Sequence, residues 1–358
     1  MSNEILKKYV CLNPFKYLDI QQNGQWVCCP SWCPTNIRTH NHPVDKNENL
    51  KENWFSSQAV DIRRSVIDGT YRHCNHKVCP SLSQLINTGE KPDGFITIEE
   101  FNQQYDLENY QGLPNHILFG FDRSCNLRCP SCRSRLIPNS EINSEEYDIK
   151  KYLLECIEKD FSQSASLILI TGSGDPFYSK LYRDYLINFN PMNYPKLDRI
   201  QLITNGILLT DQMWNSLNAK SYIKTIEVSI DAGTKETYES RTRLNGDWSS
   251  LIRNLRFLSS LTTLTDLICS FVVSKHNYKE MEIFLQLITE IFENAKFNFS
   301  VHYRQIVYWQ EGAHSPSEIK NLQVFEKDHP EFRNFIHELD KIHRKNRVNH
   351  NFHHLYEE

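Results

Sequence analysis

The chain has 358 residues, 39% of them hydrophobic, which is long enough to bury a full core and to hold one large and one small domain. Its 40 basic and 44 acidic residues give a net charge of -4, so there is no basic surplus for nucleic acid and no field for an anionic membrane. We find neither a run of about 18 uninterrupted apolar residues nor the apolar core of a signal peptide at the N-terminus. The sequence therefore predicts a soluble cytoplasmic protein without a nucleic-acid or membrane partner.

The eleven cysteines fall into two groups and two single residues. Because no export signal is visible, metal or redox chemistry is a better explanation for them than disulfide bonds. The early group is Cys11, Cys28, Cys29, Cys33, Cys74 and Cys79; the central group is Cys125, Cys129 and Cys132; Cys156 and Cys269 stand alone. This distribution indicates two metal clusters.

The first thirty residues have the pattern of a β-hairpin. Strands are predicted over 17–20 and 25–28, joined by a type I′ turn at Asn23-Gly24. The turn would bring Cys11 close to the later cysteines.

A helix is predicted from Asn53, with Trp54 among its apolar positions and Gly69 as its stop. Cys74 and Cys79 follow that stop directly. The next segment, 81–114, has turn residues and a partly helical pattern typical of a connector.

From residue 115 onward, strands and helices alternate along the chain. Strands are predicted over 117–122, 166–171, 199–204, 225–231, 267–273 and 296–303, and helices over 145–159, 178–188, 210–217, 248–259 and 278–293. Such alternation implies a parallel α/β architecture, but periodicity alone does not distinguish an open sheet from a barrel. The tail over 306–358 has helical spacings that predict capping helices.

The central cysteines have the spacing Cys125-x3-Cys129-x2-Cys132 and follow the first predicted strand. A closed zinc site requires four protein ligands, whereas three thiolates on one short loop suit a [4Fe-4S] cluster with one open iron. A zinc site that takes a distant fourth cysteine is the alternative.

This spacing resembles the cluster loop of the radical S-adenosylmethionine (SAM) enzymes. The resemblance implies that the open iron binds the amino and carboxylate groups of SAM, and that electron transfer releases a 5′-deoxyadenosyl radical. It also implies a partial (β/α)6 barrel with the site at the carboxyl ends of its strands, and a low-potential electron donor such as flavodoxin or ferredoxin. One position differs, since Ser131 stands where that family often has an aromatic residue.

Two later segments resemble parts of the same family that contact the methionine end of the cofactor. Gly172, Ser173, Gly174 and Asp175 resemble its Gly-Gly-Glu-Pro segment, whose backbone approaches the ammonium group; an ordinary Asp-Pro turn is the alternative. Thr204 begins a Thr-Asn-Gly sequence of the kind that follows the third strand in many such enzymes.

The fourth predicted strand resembles the one that contacts the ribose, with Ser229 and Asp231 on one face. Arg243 lies where an arginine of the family faces the cofactor carboxylate, which a guanidinium can bind through two hydrogen bonds. A solvated arginine on a short helix is an equally good reading of this position.

Cys269 lies on the fifth predicted strand. A thiol inside the barrel would be able to return a hydrogen atom to a substrate radical, although a lone strand cysteine is more often part of the core. Tyr308 and Trp309, after the sixth strand, are aromatic residues suited to a barrel mouth, with packing as their ordinary role.

The N-terminal eighty residues resemble the SPASM or shorter twitch modules of radical SAM enzymes, which usually follow the barrel. The shared features are a first cysteine, a glycine five places before another cysteine, a helix that begins with Trp, and a final cysteine pair. The resemblance implies one auxiliary [4Fe-4S] cluster held by Cys11, Cys29, Cys74 and Cys79, with Cys28 and Cys33 as alternates. A structural zinc site made of the same thiols is the alternative.

Together these resemblances imply an auxiliary module at 1–80, a connector at 81–114, a radical SAM barrel at 115–305 and a C-terminal extension at 306–358. The implied enzyme is an oxidoreductase that removes a hydrogen atom from a peptide or protein side chain, with the auxiliary cluster assisting. Oxidation or epimerisation of a sugar or glycoconjugate is one alternative, and a non-catalytic iron-sulfur or zinc scaffold is another. A methylating enzyme is less favoured because no cobalamin-domain sequence is present.

Overall fold

The structure is a computed structural model that describes residues 2–39, 49–76, 78–107, 109–308, 313–352 and 355–356. Its contacts divide the chain into two compact units. Unit 1 comprises residues 1–122, 140–169 and 190–198, and unit 2 comprises residues 123–139, 170–189 and 199–358. The boundaries of the two units follow contacts and not the predicted domains. Both units therefore include residues of the predicted barrel segment.

The described residues form strands and helices that alternate over most of the chain. The strands are β1 (Tyr9–Cys11), β2 (Tyr17–Gln21), β3 (Gly24–Trp26), β4 (Arg38–Thr39), β5 (Phe95–Thr97), β6 (His116–Gly120), β7 (Leu167–Ile170), β8 (Arg199–Thr204), β9 (Ile223–Ser229), β10 (Asp266–Val273), β11 (Asn298–Gln305) and β12 (Val348–His350). The helices are α1 (Ser2–Leu6), α2 (Asn13–Lys16), α3 (Leu50–Trp54), α4 (Ser57–Ile67), α5 (Pro80–Thr88), α6 (Ile98–Gln104), α7 (Glu145–Phe161), α8 (Lys180–Ile187), α9 (Asp211–Ser216), α10 (Lys235–Thr237), α11 (Trp248–Ser259), α12 (Met281–Phe292), α13 (Pro316–Leu322) and α14 (Phe332–Ile342).

In unit 1 the N-terminal hairpin joins a strand of the predicted barrel. Strands β2 and β3 pair antiparallel, and β2 also pairs parallel with β6. A separate pair, β1 with β5, places Cys11 opposite Phe95. The predicted connector therefore contributes α5, β5 and α6 to the same unit as the early cysteines.

The hairpin is confirmed, but its predicted type I′ turn is wrong. Gln21 pairs with Gly24, so the turn lies one residue earlier than expected, and neither Asn23 nor Gly24 is among the described residues with positive φ. Glycine is required at position 24 for space, because a Cβ there would lie 2.7 Å from the Arg38 carbonyl oxygen on β4. A close approach of the backbone explains this glycine better than turn chemistry does.

The predicted helix after residue 53 is present as two helices, α3 and α4. Gly69 follows α4 with φ of +74°, the left-handed conformation that suits a glycine stop. Arg63 on α4 is buried, and it donates hydrogen bonds to the carbonyl oxygens of Pro14 (2.8 Å) and Trp54 (2.9 Å). These bonds attach the helix to the segment that follows Cys11.

In unit 2 five parallel strands lie in the order β8-β9-β10-β11-β12. One face of this sheet is covered by a helix, since Phe271 of β10 packs at 5.0 Å between ring centroids on Phe284 of α12. The opposite face, which we call the polar face, carries a row of side chains in register on four strands: Ser229, Ser270, His302 and Asn349.

The six strands predicted from residue 115 onward are confirmed to within three residues at either end, and the chain is mixed α/β with mostly parallel strands. Closure of these strands into a partial barrel stays a prediction. In the C-terminal extension, α13 and α14 match the predicted helices, but β12 was missed. In the described part of the chain, no helix has both the length and the apolar character needed to cross a membrane.

Candidate functional site

The central cysteines lie on a loop of unit 2 that is held by its own backbone. The Cys125 N–H donates to the Ile137 carbonyl (2.9 Å), and the N–H groups of Cys132 and Arg133 both donate to the Cys129 carbonyl (2.9 Å). These bonds fold the Cys-x3-Cys-x2-Cys sequence back on itself. Three sulfurs are thereby presented from one compact turn.

Each of the three sulfurs accepts a hydrogen bond from the protein. The Cys125 sulfur faces the Leu127 N–H at 3.5 Å and the Asn205 side-chain amide at 3.9 Å. The Cys129 sulfur accepts from Arg243 at 3.2 Å, and the Cys132 sulfur from Arg133 at 3.4 Å. Two of the donors are guanidinium groups, so positive charge is placed where thiolates would carry negative charge.

Burial of the cysteines acts against this stabilisation of their thiolates. Cys125 and Cys129 are only 6% and 4% exposed. Burial raises the pKa of Cys125 to about 12, and it raises the pKa of Cys129 while the nearby Arg243 guanidinium opposes the rise. Because a metal ligates the thiolate, loading of the site must displace protons from these buried thiols.

Arg133 connects the cysteine loop to the glycine-rich segment. Besides the Cys132 sulfur, its guanidinium donates to the carbonyl oxygens of Arg123 (3.0 Å) and Ser173 (2.8 Å). Arg133 was not predicted as a site residue from the sequence. Its position directly after the last cysteine was the available signal, since a neighbouring cation favours a thiolate.

The glycine-rich segment turns sharply at Thr171, whose φ is +59°. The Thr171 hydroxyl accepts hydrogen bonds from the N–H groups of Ser173 (2.9 Å) and Gly174 (2.8 Å). A Cβ at Gly172 would meet only Ile203, at 3.9 Å, so the backbone there is open to a ligand. The bond from Arg133 to the Ser173 carbonyl places this segment next to the cysteine loop.

Asp175 is fully buried and forms hydrogen bonds with several other groups of the chain. Its carboxylate accepts hydrogen bonds from the N–H groups of Phe177, Tyr178 and Asn205 and from the Thr204 hydroxyl, the last at 2.7 Å. Asp175 and Thr204 therefore fix the loops that surround the cysteines. Asn205, which contacts Cys125 and donates to the Asn126 side-chain oxygen, is a residue that the sequence analysis left without a role.

Asp231 and Arg243 form a buried ion pair at the end of β9. The strand ends at Ser229, and Asp231 lies beyond it with φ of +61°, so the two do not share a strand face as predicted. The Asp231 carboxylate accepts from the Val272 N–H (2.7 Å) and contacts Arg243 at 2.7 Å. Burial raises the pKa of Asp231, and Arg243 is the main opposing influence.

A single π-helical turn, Tyr238–Thr242, presents Arg243. π-Turns of this kind occur frequently at functional sites. The guanidinium contacts the Cys129 sulfur, Asp231 and the Ile230 carbonyl, which uses three of its five N–H donors. The other two donors are not used by these three contacts.

A cavity of unit 2 opens beside the cysteine loop. Its lining includes Pro130 and Ser131 of that loop, together with Asp231, Val272, Asn277 and Ile306. Its lining thus combines apolar and polar groups. Ser131, which stands where the radical SAM family often has an aromatic residue, forms part of this wall.

Cys269 is not placed for the hydrogen-donor role. It is fully buried on β10 and lies in register with Val228 and Val301, on the same face as Phe271. That face is the one covered by α12, so the thiol points away from the polar face. Trp309 lies outside the described residues, and Tyr308 is exposed.

The early cysteines lie together in unit 1. The Tyr71 hydroxyl accepts from the Cys11 N–H (3.2 Å), and the Tyr71 carbonyl accepts from the Cys74 N–H (2.8 Å). The Asn75 N–H donates to the Trp32 carbonyl (2.7 Å), and the Asn75 carbonyl accepts from Cys79 (2.9 Å). These hydrogen bonds connect the segments that carry Cys11, Cys33, Cys74 and Cys79.

Among the predicted ligands, Cys29 is the one least connected to the others. The Cys33 thiol hydrogen-bonds with the Cys74 thiol and, together with Cys79, interacts electrostatically with Cys11. Cys29 is instead acted on by Ser31, Trp32 and Asp19, and among the cysteines it interacts with the adjacent Cys28. The two predicted alternates, Cys33 and Cys28, both interact with Cys11 and Cys74.

In the described ranges, no three His, Cys, Asp or Glu side chains are arranged to share one metal ion. A [4Fe-4S] cluster binds each thiolate through a different iron, so it does not require this convergence.

Asp19 on β2 is a buried acid near Cys29. Burial raises its pKa to about 7, with a hydrogen bond from Gln21 opposing the rise. Its ordinary pKa is 3.8, so between these two values the folded chain holds a proton that the unfolded chain has lost. The free energy of unfolding then falls as pH rises through this window.

We therefore expect the free energy of unfolding, measured with urea, to fall by up to about 1.4 kcal/mol per pH unit between roughly pH 5 and 7 on account of this group. The Asp19→Asn variant has no such proton, so its stability should depend less on pH by that amount. Identical pH dependence in the two proteins would show that Asp19 is not a buried acid.

Comparison with known proteins provides little information about the function of this site. No protein-family model matches the chain, and no curated protein matches it. One solved structure that matches is that of TYW1 with a lysine-pyruvate adduct bound, at 15% sequence identity and a TM-score of 0.37, over 61% of this chain and 70% of that chain. A similarity this low supports no argument about function, so the function must be inferred from the chain's own residues.

Proposed function

We propose that this chain is a radical SAM enzyme in which Cys125, Cys129 and Cys132 hold a catalytic [4Fe-4S] cluster. The observation that carries the proposal is the loop itself: three neighbouring cysteine sulfurs, each accepting an N–H···S hydrogen bond, two of them from guanidinium groups. Hydrogen bonds to sulfur and nearby charge are the means by which a protein tunes such a cluster. A three-thiolate loop also leaves one iron for a ligand from outside the protein.

When bound, the cluster and SAM would supply reductive cleavage of the sulfonium to methionine and a 5′-deoxyadenosyl radical, which abstracts a hydrogen atom from the substrate. The residues of the chain would bind and orient SAM. The backbone at Gly172 has space for the methionine end, and Ser173 and Gly174 would shape that segment; the remaining two donors of Arg243 suit the methionine carboxylate. Ser229 and Asp231 would contact the ribose, while Asp175 and Thr204 hold the surrounding loops.

We further propose one auxiliary [4Fe-4S] cluster in unit 1, assisting oxidation of the substrate. Cys11, Cys74 and Cys79 are common to every ligand set that we consider. We choose Cys33 rather than Cys29 as the fourth ligand, because Cys33 interacts with Cys74 and Cys11, whereas Cys29 is acted on by Ser31, Trp32 and Asp19. Cys28 is the remaining alternate; it also interacts with Cys11 and Cys74, and its sulfur faces the Asn13 side-chain amide at 3.9 Å.

This assignment predicts different outcomes for two neighbouring cysteines. After anaerobic reconstitution, Cys33→Ala should lose about four irons per chain, whereas the matched Cys29→Ala variant should retain them. Iron analysis with Mössbauer spectroscopy separates the auxiliary signal from the catalytic one. The reverse result, with loss in Cys29→Ala alone, would restore the ligand set implied by the family resemblance.

For the substrate we propose a peptide or protein side chain, with a low-potential donor such as flavodoxin or ferredoxin as the electron source in the cytoplasm. Radical oxidation or epimerisation of a sugar is the second candidate. Anaerobic protein with dithionite and SAM should release 5′-deoxyadenosine, which a non-catalytic scaffold would not do. Loss of two hydrogens from a product indicates oxidation, and gain of one solvent deuterium at unchanged composition indicates epimerisation.

A further inference from the structure

The polar face of unit 2 carries a charged pair that the cofactor assignment leaves unused. Glu227 of β9 is 4% exposed, and its two carboxylate oxygens accept from the two terminal nitrogens of Arg304, at 2.8 and 3.0 Å. Arg304 comes from β11, so its side chain crosses β10 to reach the acid. A buried carboxylate thus fixes one edge of a guanidinium in a defined orientation.

The other side of this guanidinium is accessible. The Arg304 side chain is 45% exposed, whereas that of Glu227 is 5% exposed. A guanidinium has five N–H donors in a rigid plane, and the two-point bond to Glu227 uses two of them. The remaining donors can form charge-assisted hydrogen bonds with a second anion.

His302 supplies a second donor beside Arg304, two residues away on the same face of β11. Its Nε2 atom lies 2.9 Å from the Asn349 side-chain amide nitrogen and 3.0 Å from the Ser300 hydroxyl. An amide NH2 group can only donate, so Nε2 accepts and the proton of a neutral ring lies on Nδ1. Burial, followed by the charge of Arg304, lowers the pKa of His302 and favours that neutral form.

We propose that Arg304 and His302 bind an oxyanion of the substrate, either a carboxylate or a phosphate, with Glu227 as the positioning residue. This deepens the function proposed above and rests on it. Arg304 pairs in register with Val272, whose N–H donates to Asp231, and both Val272 and Asp231 line the cavity beside the cysteine loop, so the anion would be held next to that cavity. Ligands of parallel α/β sheets bind at this carboxyl end of the strands.

Chemical labelling of the wild-type protein tests the proposal without requiring turnover. Phenylglyoxal modifies accessible arginines, and peptide mass spectrometry measures the rate at Arg304 and at Arg253, an exposed control arginine on α11. Glutarate and inorganic phosphate serve as separate probes. At a probe concentration about ten times its Kd, we expect labelling of Arg304 to slow roughly tenfold while that of Arg253 is unchanged.

Protection by glutarate alone identifies a carboxylate site, and protection by phosphate alone identifies a phosphate site; either supports the proposal. Protection by neither probe, or equal protection of Arg253, overturns it. Cleavage of SAM plays no part in this assay, so its result is independent of whether 5′-deoxyadenosine is released.

A variant provides the second test. Replacing Arg304 alone would leave Glu227 buried without a partner, so the double variant Glu227→Gln with Arg304→Gln is the better choice. Calorimetric titration with the protecting probe should show Kd weakened by at least about tenfold, and Arg253→Gln should bind as the wild type does. An unchanged Kd in the double variant contradicts the proposal.

Discussion

Replacement of Cys129 by alanine should abolish release of 5′-deoxyadenosine and remove about four irons per chain, while the auxiliary iron remains. The reason is that the central loop supplies only three thiolates, and Cys129 is the one bound to the buried Arg243. Two thiolates on this loop cannot hold a cubane cluster. Nucleoside release is measured by chromatography after anaerobic incubation with dithionite and SAM.

Cys156→Ala is the matched control, because Cys156 is also a buried cysteine but lies on α7, outside both cysteine groups. It should retain both clusters and full nucleoside release. If Cys129→Ala still cleaves SAM, the catalytic assignment is incorrect.

Replacement of Arg243 by leucine should lower the free energy of unfolding by about 3–5 kcal/mol, because it leaves the Asp231 carboxylate buried and unpaired. The side chains of Arg243 and Asp231 are 11% and 3% exposed, so solvent cannot replace the lost partner. Urea unfolding measures the change. Arg241→Leu, an exposed arginine two residues earlier, should change stability by no more than about 0.5 kcal/mol.

The same variant should acquire a pH dependence. Burial already raises the pKa of Asp231, and loss of Arg243 removes the main opposing influence, so the carboxyl takes up a proton more readily. Stability of Arg243→Leu should therefore recover as pH falls, and adding Asp231→Asn should restore part of it at neutral pH. A loss that is independent of pH and unaffected by Asp231→Asn would mean that the ion pair is not its cause.

The parts of the site that the sequence predicted are local ones. The three central cysteines lie within eight positions, so their spacing alone places them on one loop. Strands such as β8 and β10 follow from short apolar runs, and Gly69 ends a helix by its own conformational freedom. Each of these features depends on neighbours in the sequence.

The parts that were missed depend on residues far apart in the chain. Gly24 is required by a carbonyl on β4, and Cys33 interacts with Cys74. The partners of Arg243 likewise come from the cysteine loop and from the end of β9. No periodicity in the sequence specifies such contacts.

Strand register explains two further differences between the sequence prediction and the structure. Cys269 was placed inside a barrel because it lies on a strand, but the face of a strand depends on its register with its neighbours. The row that joins Ser229, Ser270 and His302 becomes visible only when β9, β10 and β11 are aligned. The pair between Glu227 and Arg304 is hidden from the sequence for the same reason.

The most direct test is whether the central cluster has an iron that binds SAM. Electron-nuclear double resonance on the dithionite-reduced protein, with SAM labelled by ¹⁵N in its amino group, measures contact between that nitrogen and the cluster. The account predicts a clear ¹⁵N coupling that disappears in Cys129→Ala. Absence of coupling in wild-type protein that carries the cluster, or a central site filled by zinc, would contradict it.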